Sequence, residues 1–154
     1  CWQVIEAGEA LRSSLTEAVA LDAAAFESIL KARKLPKETE TQKQERSQAI
    51  KEATLQAARV PLETAQQALE VLKLAVRMAA IGNLSAISDA AAGANLALAA
   101  LKSAGLNVRI NLQGIEQEAE PAQMLQQLAV FEQQAESLMQ ELEESLRQRA
   151  GLSN

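Results

Sequence analysis

The sequence has no histidine and no tyrosine, and a single cysteine, Cys1. Without histidine there is no Ser-His-Asp triad, no imidazole base and no histidine metal site. One cysteine excludes an internal disulfide and a cysteine-cluster zinc site, so no metal is expected. Aromatic residues are 2% of the chain, namely Trp2, Phe26 and Phe131, and the formal charge is −5. A chain with so few stacking platforms and no net positive field is a poor nucleic-acid binder. Glycine and proline number 6 and 3, which leaves few natural breaks in 154 residues. No uninterrupted apolar run reaches the ~18 residues of a membrane span, so no membrane partner is expected. What abounds is hydrophobic material, at 48%, enough for the core of one domain and too much for a disordered chain.

Alanine, leucine, glutamate and glutamine dominate, all good helix formers. No stretch sustains a period of two. The spacing predicts a first helix over about residues 1–33, with an apolar stripe of Leu11, Leu15, Val19, Phe26 and Ile29 into which Asp22 falls. Leu35-Pro36 stops it, because proline disfavours helix at the preceding residue. Thr39 or Thr41 starts the next helix, which runs to about residue 80. Pro61 lies inside, so the expectation is one helix kinked there or two joined at Val60-Pro61. Gly82-Asn83 signals a helix end. An alanine-rich third helix follows from about Leu84 and either pauses at Gly105 or continues through Leu112. Residues 114–121 read as a connection, and the last helix covers about 122–149, its end carrying Arg147 and Arg149 before Gly151. The expected fold is all-α, an up-and-down bundle of four to five long helices forming one domain over 1–154. With no initiator methionine and no signal-like leader at Cys1, a missing N-terminal segment and a cytoplasmic setting are expected.

Three features stand out against this plain helical background. Asp22 occupies a stripe position where an apolar residue belongs. A carboxylate there is either paired, facing water at the stripe edge, or raised in pKa by desolvation. Residues 31–51 concentrate Lys31, Arg33, Lys34, Lys37, Lys43, Arg46 and Lys51 against only Glu38, Glu40 and Glu45. Such a basic corner suits an anionic ligand, although three of these residues also suit a helix C-terminus. Arg46 lies one turn before Ile50, and arginine makes forked bonds to carboxylates. Last, Asn83, Asp89, Asn107 and Asn111 sit among small residues. Asn83 beside Gly82 equally suits a cap. Asn107 and Asn111 share a face, and so do Asp89 and Asn107, yet an unbroken helix holds that second pair about 27 Å apart. Either the helix breaks near Gly105 or another helix or another chain completes the site.

The ordered set Asp22-Ala23-Ala24-Ala25-Phe26, Leu35-Pro36-Lys37-Glu38-Thr39, Arg46-Ser47-Gln48-Ala49-Ile50, Val60-Pro61-Leu62, Gly82-Asn83, Ser88-Asp89-Ala90 and Asn107-Val108-Arg109-Ile110-Asn111-Leu112 resembles the cyclodeaminase domain of the formiminotransferase-cyclodeaminase family. That family also contains stand-alone methenyltetrahydrofolate cyclohydrolases. The resemblance covers about residues 5–116. It implies a helical bundle that forms a homodimer, a tetrahydrofolate derivative as substrate, polyglutamylated or not, and no cofactor beyond that substrate. It also implies that Asp22, Lys37, Arg46, Asn83, Asp89, Asn107 and Asn111 belong to the site. Two departures are visible. The glycine-rich segment with which members begin is absent, and Glu116 stands where members often place aspartate.

On this resemblance the expected reaction is that of a formiminotetrahydrofolate cyclodeaminase, in which N10 attacks the formimino carbon and ammonia leaves. Asp22, or alternatively Asp89, transfers protons with Lys37 adjacent. Lys37 or Arg46 binds a glutamate carboxylate, and Asn83, Asn107 and Asn111 hold the pterin. The alternatives are methenyltetrahydrofolate cyclohydrolase and a non-catalytic helical scaffold.

Overall fold

A computed structural model describes residues 2–152. Among them are four long helices: α1 (Trp2–Arg33), α2 (Glu40–Ile81), α3 (Ile87–Leu112) and α4 (Ala119–Ala150). A single 3-10 turn over Leu84–Ala86 leads into α3, and no strand occurs among the described residues. The all-α up-and-down reading therefore holds, with four helices. Helix α2 is the hub. It packs along α3, carries α1 on one flank and meets α4 on another.

Leu69, Leu72, Leu101, Val108, Leu112, Leu128 and Leu142 are fully buried where α2, α3 and α4 meet. Each buried leucine contributes about 1.5–3 kcal/mol by leaving water. Alanines let the backbones approach: Ala58, Ala65, Ala79, Ala94 and Ala135 have no accessible surface. Of the apolar positions that the spacing predicts to line this helix, Ala57, Val60, Leu69, Leu72, Val76 and Ala79 are buried, whereas Ile50 and Ala53 are half-buried.

Helix α1 departs from the predicted phase. Ala25, Ile29 and Ala32 are buried, while Val19 is 73% and Phe26 60% exposed. The contact face runs through Leu11, Leu15, Ala18, Ala25 and Ile29, one position off the predicted line at Val19 and Phe26. The small alanines mark the interface because α1 packs closely on α2, and the larger side chains are left outside.

Thr39 is the start of α2. Its hydroxyl accepts from the Gln42 N–H at 3.2 Å while the Gln42 side chain accepts from the Thr39 N–H at 3.1 Å, a reciprocal capping box. Helix α2 continues through Pro61 as one helix. Helix α3 likewise runs through Gly105 without a pause. Helix α4 begins at Ala119, earlier than predicted, and takes Pro121 into its first turn, where a missing N–H removes no helical bond. Its end is closed by Gly151 at φ 66, a left-handed residue that a side chain would strain.

By length and composition Leu84–Leu112 is long and apolar enough to cross a membrane. Asp89, Asn95 and Lys102 interrupt it, so a search for uninterrupted runs passes over it. Helix α3 buries Ala94, Ala97, Leu101, Ala104, Val108 and Leu112 against its neighbours, yet only 22% of its most apolar window is buried.

Candidate functional site

Because α1 leans on α2 and stands off from α3, a long cleft opens between α1 and α3 with α2 as its floor. Small side chains keep it open: Gly8 and Ala18 on α1, Ala75 on α2, Ala90, Gly93, Ala100 and Ala104 on α3. Leu15 lines both halves and divides them.

The first half, about 310 Å³, is lined by Asp22 from α1, Pro61 and Thr64 from α2, and Ser103 and Asn107 from α3. Asp22 is exposed to solvent there. Its anomalous position is thus explained by an open cleft where a packed contact was expected. The Thr64 hydroxyl donates to the Val60 carbonyl at 3.0 Å, which leaves its oxygen free to accept. One carboxylate, one amide and two hydroxyls therefore share this space. A carboxylate can move a proton, and an amide can pair with the edge of a heterocycle.

The second half, about 570 Å³, is mostly apolar, lined by Val4, Leu74 and Met78 among others, with Asn83 and Asp89 at its α3 side and Arg12 on α1. Asn83 caps the 3-10 turn, its Oδ1 accepting from the Ser85 N–H at 3.0 Å. Gly82 precedes it for a steric reason: a Cβ there would sit 2.5 Å from the Met78 carbonyl oxygen. Arg12 is paired with Glu9 at 2.8 Å. The Arg12 guanidinium, by hydrogen bond and then by charge, holds the Glu9 carboxyl below its ordinary value.

Asp22 and Asn107 are brought together, and so are Asn83 and Asp89, but the two pairs occupy opposite halves. The unbroken α3 keeps Asp89 and Asn107 about 27 Å apart. It is α1 that supplies each half with a charged group from the other wall. Lys37 lies in the loop between α1 and α2, exposed, and it follows Asp22 by the rest of α1, about 16 Å of helix to Arg33. Arg46 is half-buried and its Nε donates to the Arg33 carbonyl at 3.2 Å, closing the end of α1. These two residues form the basic corner beyond the Asp22 half.

Asn111 is committed elsewhere. Pro61 has no N–H to give the Ala57 carbonyl one turn back, and the Asn111 Nδ2 donates to that oxygen at 2.8 Å. The amide on α3 thereby repairs the gap that proline leaves in α2. Glu116 has a local role too: the backbone N–H groups of Gly114 and of Glu116 itself hold its carboxyl below the ordinary value.

Arg12, Thr64 and Ser103 escaped the sequence reading. Ser103 sits one turn before Asn107 on the same face, a usable signal. Thr64 and Arg12 carried none, since hydroxyls and single arginines are ordinary on helices.

The sequence profile of the formiminotransferase-cyclodeaminase family matches residues 1–130. The chain is 37% identical over 145 residues to methenyltetrahydrofolate cyclohydrolase of Methylorubrum extorquens, covering 94% of this chain and 70% of that protein. It is 36% identical over 128 residues to formimidoyltransferase-cyclodeaminase of Sus scrofa, covering 83% of this chain and only 24% of that longer protein. Among solved structures, formiminotetrahydrofolate cyclodeaminase of Thermotoga maritima superposes with a TM-score of 0.80 at 28% identity, over 94% of this chain and 68% of that one.

Proposed function

The chain belongs to the formiminotransferase-cyclodeaminase family, and on that premise we propose that it is a folate one-carbon enzyme, a formiminotetrahydrofolate cyclodeaminase. The observation that carries the reading is the Asp22 half of the cleft, where a solvent-reachable carboxylate on α1 shares a small space with Asn107 and Ser103 on α3. In the proposed step N10 of 5-formiminotetrahydrofolate attacks the formimino carbon, forming the N10–C bond. N10 loses its proton to the Asp22 carboxylate. The tetrahedral centre then collapses, the bond from carbon to the former imino nitrogen breaks, and that nitrogen takes up protons and leaves as ammonia. The methenyl bridge between N5 and N10 remains. Proton transfer by a placed carboxylate is worth about 10²–10⁴-fold in rate.

Asn107 pairs with the pterin edge, with Asn83 and Asp89 lining the farther half of the cleft. Lys37 and Arg46 lie at the end where the anionic glutamate tail of the folate leaves, and a polyglutamate extends the same contact. The functional unit is a homodimer: the apolar face of α3 leaves Leu96, Leu106 and Ile110 at 73%, 61% and 67% exposure. Sedimentation equilibrium checks this, a monomer at assay concentration contradicting it.

A second reading, methenyltetrahydrofolate cyclohydrolase, is favoured by the Methylorubrum relative, of which this chain covers 70%. The same cleft would then orient water on the methenyl carbon. Both readings are tested by Asp22→Asn. Turnover of either folate falls by ~10²-fold or more, with the melting temperature unchanged because the side chain is exposed. Near-normal turnover removes Asp22 from the mechanism and moves the test to Asp89→Asn.

A further inference from the structure

Arg149 lies in the last turn of α4, beyond the residues that the family profile matches. In sequence it reads as a cation complementing the end of its own helix. In the structure its guanidinium reaches across to α2. Nη1 donates to the Ala79 carbonyl and Nη2 donates to the Gly82 carbonyl at 2.8 Å. These are two of the carbonyls at the end of α2 that no helical N–H can reach. The neighbouring Met78 carbonyl takes the Gly82 N–H at 2.8 Å. One planar fork therefore bridges the last turn of α2 and the residue immediately before Asn83, a two-point contact for which a lysine ammonium lacks the pre-set fork.

From this we infer that Arg149 is a positioning residue for the cleft: it fixes the α2–α3 turn and so sets the direction of Asn83. The Asn83 Oδ1 is held by the Ser85 N–H, so its Nδ2 is the end left to donate to a ligand. The kinetic consequence rests on the cleft being the folate site. The consequence for the backbone does not.

The test uses the full chain with Arg149→Met, Arg149→Lys and Asn83→Ala, and two readouts. Hydrogen exchange at the amides of Ser85 and Ala86, which cap on Asn83, accelerates by ~10-fold in Arg149→Met while the middle of α2 keeps its protection. KM for the folate substrate rises by ~10-fold, the scale of one lost oriented hydrogen bond, with kcat much less affected. Arg149→Lys falls between wild type and Arg149→Met in both. In the Asn83→Ala background Arg149→Met adds little to KM, because the group it positions is gone. Unchanged exchange at Ser85 and Ala86 overturns the inference. So does a KM effect that adds in full to that of Asn83→Ala, which would make the tie merely structural. A wild-type chain without folate turnover sinks the reading of the cleft instead, and the exchange pattern then decides the tie by itself.

Discussion

Carbonyls of helix α2 lack a helical donor at two places, and side chains from two different helices supply one. At Pro61 the Ala57 carbonyl has no helical donor, and Asn111 from α3 supplies one. At the C-terminus the Ala79 and Gly82 carbonyls have none, and Arg149 from α4 supplies both. The physics is the same, since a buried carbonyl left without a partner is costly. What lies beside each repair differs. The Asn111 bond secures the packing of α3 on α2. The Arg149 fork holds the turn that presents Asn83 to the cleft. An asparagine that resembles a ligand-binding residue thus serves the backbone, while an arginine that resembles an ordinary helix-end cation stands directly behind the site.

Asn111→Ala should lower the unfolding free energy by about 1–3 kcal/mol, because it strands the Ala57 carbonyl. Urea titration measures it, and a change within error would mean the bond carries no weight. Placing the same change beside Pro61→Ala sharpens the point. Alanine at 61 restores an N–H for the Ala57 carbonyl, so the cost of removing the asparagine should shrink by about 1 kcal/mol in that background. Equal costs in both backgrounds would separate the two residues.

The opposite end of α4 offers a weaker tie for comparison. Arg59 on α2 donates its Nε to Glu120 at 3.1 Å, and Lys51 pairs with Glu118, all four side chains more than 40% exposed. Exposed pairs of this kind are worth about 0–1 kcal/mol and weaken with salt. Glu120→Gln should therefore cost less than Asn111→Ala, and its own cost should vanish near 1 M salt while that of Asn111→Ala persists. Glu116 gives the smallest effect. Its carboxyl sits below the ordinary value in the folded chain, so it adds stability above the unfolded carboxylate pKa and loses it as pH falls through the folded one. Glu116→Gln should lower stability slightly at neutral pH and flatten the acid limb, with wild type and variant converging as pH falls through the folded pKa.

The contrast also explains what could be read from the sequence. Helix content and the helix ends at Leu35-Pro36, Gly82-Asn83 and Gly151 were legible, since proline, glycine and caps act locally. The phase of α1 was not. Val19 and Phe26 look like core residues by size, but close packing on α2 selects alanines, and that selection is tertiary. The pairing of Asp22 with Asn107 was out of reach for the same reason. It depends on α1 and α3 facing each other across α2, a separation in sequence that periodicity does not bridge. Asp89 and Asn107 share a face as predicted, yet the continuity of α3 through Gly105 sends them to opposite halves of the cleft. Lys37 and Arg46, close to Asp22 in the ordered motifs, end up at the far end of α1.

The most direct test is to supply the full-length protein with 5-formiminotetrahydrofolate and follow methenyltetrahydrofolate absorbance and ammonia together. The reading given to the cleft predicts that both appear in equal amounts, and that Asp22→Asn removes both. Release of neither product, with no folate bound, would contradict it and leave a helical scaffold whose cleft serves another purpose.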